Sequence, residues 1–386
     1  MIITHFTDND LYKFTTMCAV QKLYPNVVVR YQFFDRNGVG FPDGFAEVLR
    51  KEINDMALLS LTSEEEAYIR KRCYFFDPVF IDLLKGFRYD PSEVVVSQHG
   101  GQLTLSIEGY WYRTVLWEVP LLSIISELYF KMKGVEPVEV EERAKAKAIA
   151  FQKMEAKYSE FGSRRRFSFD VHDRVVKIFK DHSGDCFTGS SNVYMAMKHE
   201  LVPIGTHPHE WFMFHGAKYG YRVANEKALD AWVDVYQGSL GTALTDTYTT
   251  DSFFHSFSLK NAKLFDGIRW DSGDPFSFTD NAVNFYQSRR IDPQSKTIVY
   301  SDALNLERVR QIKEYVNGRI HDVYGIGTYL TNDVGVRPLN IVIKLIEVKN
   351  TPDSPAVPAI KLSDTTTKYT GDEAEIVLCK QLLRIQ

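Results

Sequence analysis

The sequence predicts an α/β fold: an irregular or incomplete TIM-like parallel barrel beside an α+β companion domain. Two observations carry this expectation. After Gly162, short apolar runs alternate with helical patterns, the rhythm of parallel strands joined by crossover helices. Four of these runs pass directly into turns rich in small and charged residues, and ligands bind at the carboxyl ends of parallel strands. A doubly wound sheet is the alternative for the same rhythm.

Taken in order, Asp8 stands where it can cap a helix with Leu11, Phe14 and Cys18 on one face, ahead of a strand-like run over 27–34. Runs over 94–98 and 102–107 flank His99-Gly100-Gly101, a hairpin pattern. The charged stretch 136–158 reads as a helix bridging two parts. Seven strand candidates follow, at 167–169, 186–188, 201–204, 242–244, 267–270, 297–300 and 322–324. Strand character returns at 340–348 and 376–378, around the proline-rich turn region 351–358. The expected division is an α+β domain over 1–135, joined by 340–386, and the barrel over 136–339.

With 386 residues, 44% of them hydrophobic, the chain can build two or three cores. A formal net charge of -4 provides no field to gather nucleic acid or anionic membrane, so neither is an expected partner. No run approaches the roughly 18 to 20 apolar residues of a bilayer span, and the start lacks the regions of a signal peptide. The expected location is the cytoplasm. Four cysteines without CxxC spacing suggest free thiols rather than zinc or a disulfide framework.

The motifs lie at the predicted strand ends. Gly205-Thr-His-Pro-His-Glu-Trp211 puts His209 where a strand gives way to a helix, beside Glu210; it is either a structural histidine or a nucleophile or acid/base. His207, His209 and His215 lack the HExxH arrangement, so no direct protein ligand for a metal is expected. Arg269-Trp-Asp-Ser-Gly-Asp274 places Asp271 and Asp274 three apart. Both suit ribose or hydrated Mg²⁺, and Asp274 before Pro275 also suits a helix cap. Ser301-Asp302 and Gly325-Ile-Gly327-Thr328 follow the last two strand candidates, the usual phosphate position in barrels. Arg164-Arg-Arg166 is either a solvated turn or a fork for pyrophosphate.

Together with Thr7-Asp-Asn-Asp-Leu-Tyr-Lys13, Phe161-Gly-Ser-Arg-Arg-Arg166 and Gly189-Ser-Ser-Asn-Val193, these strings make the chain resemble nicotinate phosphoribosyltransferase over nearly its full length. The resemblance implies a type II phosphoribosyltransferase, listed among ligases. It implies ATP-assisted transfer from phosphoribosyl pyrophosphate to nicotinate in NAD salvage, with Mg²⁺ and a homodimer with shared sites. It further implies that His209 is transiently phosphorylated and Asp271 is the ribose-side carboxylate. Tyr12, from the partner subunit, and Phe161 would stack the pyridine ring, and Thr206 and Arg269 would contact nicotinate. Arg164 would lie on the pyrophosphate side and Thr328 at the phosphoribosyl phosphate; Asp274, Ser301, Gly325 and Gly327 complete the expected phosphoribosyl pyrophosphate set. The His207-Pro208 pair departs from the small or apolar pair usual in this motif, and Lys361-Leu-Ser363 with Lys368 matches the family's basic segment only loosely. The rivals are a nicotinamide phosphoribosyltransferase and a non-catalytic sugar-phosphate sensor.

Overall fold

A computed structural model describes residues 1–385; Gln386, the end of the expected 340–386 segment, lies outside the described residues. The chain forms two compact units, the first of 1–21, 30–205 and 326–344, the second of 22–29, 206–325 and 345–386. Among the described residues the strands are β1 (Val28–Asp35), β2 (Val94–His99), β3 (Gln102–Tyr110), β4 (Tyr158–Glu160), β5 (Phe187–Ser190), β6 (Thr242–Leu244), β7 (Gly267–Trp270), β8 (Thr297–Tyr300), β9 (His321–Ile326), β10 (Ile341–Lys349) and β11 (Val357–Pro358).

In the second unit β6, β7, β8 and β9 are neighbours in that order and all parallel. Leu244 pairs with Arg269, Arg269 with Val299, and Tyr300 with Tyr324. This register brings Thr245-Asp246-Thr247, Asp271-Ser272 and Ser301-Asp302 out at the same strand ends. Ile268, Trp270, Ile298, Tyr300 and Tyr324 are buried behind them. In the first unit β4 and β5 form a parallel pair, and β2 and β3 an antiparallel hairpin turning at Gly100, whose φ of 56° suits glycine. Neither parallel set closes into a ring among the described residues. The fold is mixed α/β with a parallel sheet.

Most expected strands appear, 242–244, 267–270 and 297–300 with the bounds read from the sequence. Four expectations differ. At 167–169, Ser168 instead caps the helix Phe169–His182, accepting from Val171 N at 3.1 Å. At 201–204 there is one bridge, Ser190 to Pro203, because proline has no N–H with which to extend a ladder. At 376–378 the chain is helical, within Glu373–Leu383, where Asp372 caps Glu375 N and Val377 and Leu378 are exposed. Asp8 does not cap the helix Leu11–Leu23; its carboxylate is taken by Arg166 and Asn192. Within the second unit, Leu362 N donates to Thr247 O at 2.9 Å.

Candidate functional site

At the strand ends of the second unit, Arg269 is the second-last residue of β7, and its guanidinium reaches three neighbouring segments. Nε donates to Ser301 Oγ (2.7 Å), Nη1 to Thr206 Oγ1 (2.8 Å) and Nη2 to Asp271 Oδ1 (2.8 Å). Asp271 Oδ2 lies 3.0 Å from His209 Nε2, and His209 Nδ1 lies 3.0 Å from Thr247 Oγ1. Lys361 Nζ is 2.9 Å from the same Nε2 and 3.6 Å from Asp246 Oδ2. The segment bearing Lys361 is held by Ser363 and Asp364: Ser363 Oγ donates to Ser272 Oγ, which donates to Asp246, and Thr250 donates to Asp364 through its N–H and hydroxyl. Lys368 reaches Asp302 at 2.5 Å and the Asp271 carbonyl at 3.0 Å.

The electrostatics follow from burial. Burial and the nearby Lys361 ammonium hold His209 down to about 4, so its imidazole is neutral at neutral pH. Burial alone would raise Asp271, but Arg269 and His209 outweigh it and hold the carboxyl well below the usual range. Asp246 is likewise raised by burial and brought below its ordinary value by Lys361 and His209. Thr247 matters for the tautomer. Its hydroxyl can accept from Nδ1–H or donate to a bare Nδ1, so the His209 proton can sit on either nitrogen with a partner at Nδ1. With the proton on Nδ1, the Nε2 lone pair faces the Lys361 ammonium and is available as a nucleophile.

His209, Asp246 and Asp271 each offer a ligand atom, all within 4.8 Å of one another, a set able to hold a cation. Asp246 Oδ1 is buried without a hydrogen-bond partner. The sequence assigned no direct protein ligand to a metal; these three residues are the candidates for one.

Of the expected residues, His209, Asp271, Thr206, Arg269 and Ser301 therefore come together. Ser301 serves Arg269 and Asp271 rather than presenting a free hydroxyl. Asp274 is the cap of the helix Pro275–Ser288, accepting from Ser277 N and Oγ, both at 2.8 Å. Gly325 lies within β9.

The first unit holds the others. Arg164 donates to Glu118 at 3.2 Å, while Lys13 approaches the same carboxylate at 2.5 Å. The Arg164 side chain remains 40% exposed. Tyr12 lies close enough to Arg164 and Glu118 for their charges to act on its phenol. Phe161 N donates to Ile326 O, and a side chain at Gly327 would meet the Phe161 carbonyl at 3.1 Å, so the loop leading to Thr328 packs backbone to backbone against the Phe161 turn. The arginine triplet is not a solvated turn. Arg166 is fully buried in a bidentate pair with Asp8 at 2.7 and 2.8 Å, and Arg165 donates to the Ile341 carbonyl.

Sequence reasoning passed over Asp246 and Thr247, and named Lys368, the partner of Asp302, only within a loosely matching basic segment. The signal for the first two was present: β6 ends in Thr245-Asp246-Thr247, the same apolar-strand-to-polar-turn design as the motifs that were singled out.

A buried neutral histidine flanked by carboxylates and a lysine at parallel strand ends defines an α/β protein with an enzyme-like site for an anionic ligand. Comparison with known proteins is specific. The nicotinate phosphoribosyltransferase (NAPRTase) N-terminal domain model matches residues 7–126 and the NAPRTase family model residues 156–386. A nicotinate phosphoribosyltransferase of Chromohalobacter salexigens is 50% identical over 98% of this chain and 97% of its own. The crystal structure of nicotinate phosphoribosyltransferase from Porphyromonas gingivalis superposes with a TM-score of 0.98 at 48% identity, covering all of both chains. That of a yeast protein, described as a putative nicotinate phosphoribosyltransferase, gives 0.93 at 31%, over 100% of this chain and 99% of its own. The chain belongs to the nicotinate phosphoribosyltransferase family.

Three histidines of the second unit share one pH dependence. Burial holds His207 to about 3, His209 to about 4 and His215 to about 3. Each lowered value means that the unfolded chain takes up a proton the fold refuses. Stability is therefore full above about pH 6.5 and falls, by about 1.4 kcal/mol per pH unit for each histidine, as the pH drops towards the folded values. His215→Gln removes one such increment, so urea unfolding at pH 7.5, 6 and 5 should give a slope against pH shallower by about 1.4 kcal/mol per unit. An unchanged slope would mean that His215 is already protonated in the fold.

Proposed function

We propose that this chain forms nicotinate mononucleotide and pyrophosphate from nicotinate and phosphoribosyl pyrophosphate in NAD salvage, with ATP cleavage assisting, on an incomplete TIM-like barrel to which β6–β9 belong. The observation that carries the reading is the Arg269 guanidinium, fixed by Thr206, Ser301 and Asp271 beside an unprotonated His209. Its one uncommitted N–H, on Nη2, suits a carboxylate oxygen, which gains more from a charged donor than the carbonyl of a neutral amide does.

In the transfer, the pyridine nitrogen forms a bond to the anomeric carbon as the bond to pyrophosphate breaks, and positive charge builds on the sugar. Asp271 remains ionised and supplies the opposite charge, while Arg164, with its exposed guanidinium, suits the departing pyrophosphate. Gly327 and Thr328 begin a short helix, Thr328–Thr331, and are proposed at the phosphoribosyl phosphate. In the ATP half-reaction, His209 Nε2 forms a bond to the γ-phosphorus as the bond to ADP breaks; water later takes the phosphoryl group, leaving phosphate and neutral His209. Lys361 neutralises charge on the transferred group. Mg²⁺ would fit the carboxylates of Asp246 and Asp271, since Asp246 Oδ1 has no hydrogen-bond partner and both carboxyls are held below their ordinary values, and it would neutralise pyrophosphate charge. We further propose that the enzyme acts in the cytoplasm as a homodimer in which Tyr12 of one copy and Phe161 of the other stack the pyridine ring.

Three outcomes test this. Pyrophosphate release should depend on nicotinate, and Arg269→Ala should lower kcat/KM for nicotinate about tenfold to a hundredfold, the size of a charge-assisted hydrogen bond of roughly 1.5–3 kcal/mol, while narrowing the preference over nicotinamide. An equal loss with both substrates would remove Arg269 from recognition. Incubation with labelled ATP should place acid-labile phosphate on His209 in peptide maps made at alkaline pH, and label persisting in His209→Asn would end that assignment. Mixing inactive Tyr12→Ala and Asp271→Asn subunits should restore part of the activity; verified exchange without recovery would exclude a shared site.

A further inference from the structure

We infer that His207 is a positioning residue, its imidazole N–H seated on the Trp232 ring so that its neighbours Thr206 and His209 are held at the strand ends. Pro208, extended at φ -85° and ψ 155°, precedes the helix that begins at His209. Thr206 reaches Arg269, and His209 reaches Asp271, Thr247 and Lys361. His207 points away, into the core of the second unit, and is 1% exposed.

Its surroundings are aromatic. Trp232 lies 4.4 Å away, centroid to centroid and at 87°, with Phe212 at 5.7 Å and Phe265 at 5.8 Å. Neither imidazole nitrogen has a hydrogen-bond partner, although both are buried. A neutral imidazole nevertheless carries one N–H, and the edge-to-face contact offers it the negative face of the indole. Packing alone does not account for this residue: phenylalanine would fill the same aromatic nest without burying unpartnered nitrogens. Buried polar atoms retained at the expense of stability, one residue from a nucleophile and one from an arginine's hydroxyl partner, mark a directional contact. The backbone carbonyl of His207 also lies 3.5 Å from Arg269 Nη1, so movement of this residue is transmitted to the guanidinium by two adjacent acceptors.

The kinetic part of this inference rests on the proposed transfer to nicotinate; the structural part does not. The test compares wild type, His207→Phe and His207→Gln by thermal unfolding, by the NMR chemical shifts of the His209 ring at one fixed pH and by steady-state kinetics. The phenylalanine variant should melt higher than wild type. It should nevertheless move the His209 ring resonances, as the ring leaves its contacts with Lys361 and Thr247, and raise KM for nicotinate about tenfold with less change in kcat. Glutamine, which returns an N–H, should recover at least half of both changes. A phenylalanine variant that melts lower or fails to fold overturns the inference, as does one whose His209 resonances are unchanged, or a glutamine variant displaced as far as phenylalanine. Failure of wild type to make nicotinate mononucleotide would count against the transfer reading, and the His209 resonances would still decide the role of His207.

Discussion

The second unit is organised by one constraint: Arg269 carries a permanent positive charge at the end of a buried strand, and every neighbour must answer it. Its donors take Thr206, Ser301 and Asp271, which lie before the helix at His209, after β8 and after β7. Asp271, thereby fixed and ionised, orients His209, and the carboxylates that collect around them call in Lys361 and Lys368. Three cations (Arg269, Lys361, Lys368) then stand against three carboxylates (Asp246, Asp271, Asp302), and His209 sits among them as a neutral imidazole. Removing one member of such a buried set leaves its partner uncompensated, at a cost of about 3–5 kcal/mol, so the network is held together by mutual need rather than by any single contact.

The strand ends were legible because short apolar runs followed by glycine, serine, threonine or aspartate carry their signal within ten residues. Thus β6, β7 and β8 emerged with their bounds, and His209, Asp271 and Arg269 with them. What stayed hidden depended on distance along the chain. Nothing local to Asp8 says that its carboxylate belongs to Arg166, 158 residues away, so a capping role was the natural but incorrect reading. Nothing local to 376–378 separates three consecutive apolar residues in a strand from three in a helix; the Asp372 cap and the burial of Cys379 decide it. Pro203 illustrates a third kind of miss, where hydrophobicity suggested a strand and backbone chemistry limited it to one bridge.

The first unit solves the same desolvation problem in the opposite way. Arg166 and Asp8 neutralise one another completely, Asn192 adds a third hydrogen bond, and burial's upward push on Asp8 is overcome by the guanidinium. Glu160 and His172 form a second buried pair at 2.9 Å. These are closed arrangements with little left to offer a ligand. Within one arginine triplet, Arg166 is thus structural, Arg165 clasps a carbonyl, and Arg164 keeps 40% of its side chain exposed while it pairs with Glu118. Identical residue types, side by side, acquire different roles because their burial differs.

The position of Lys361 in the chain has a consequence for biosynthesis. Asp246 and Asp271 precede it by 115 and 90 residues, so a growing polypeptide contains the carboxylates long before the ammonium that balances them. At about 5–20 residues per second, the interval between Asp271 and Lys361 lasts roughly 5–18 s. During that time Arg269, two residues before Asp271, is the nearby cation already synthesised. The strand ends can assemble early, but their charge is balanced only once Lys361 has emerged, which makes completion of the site wait on a residue 90 positions downstream of Asp271.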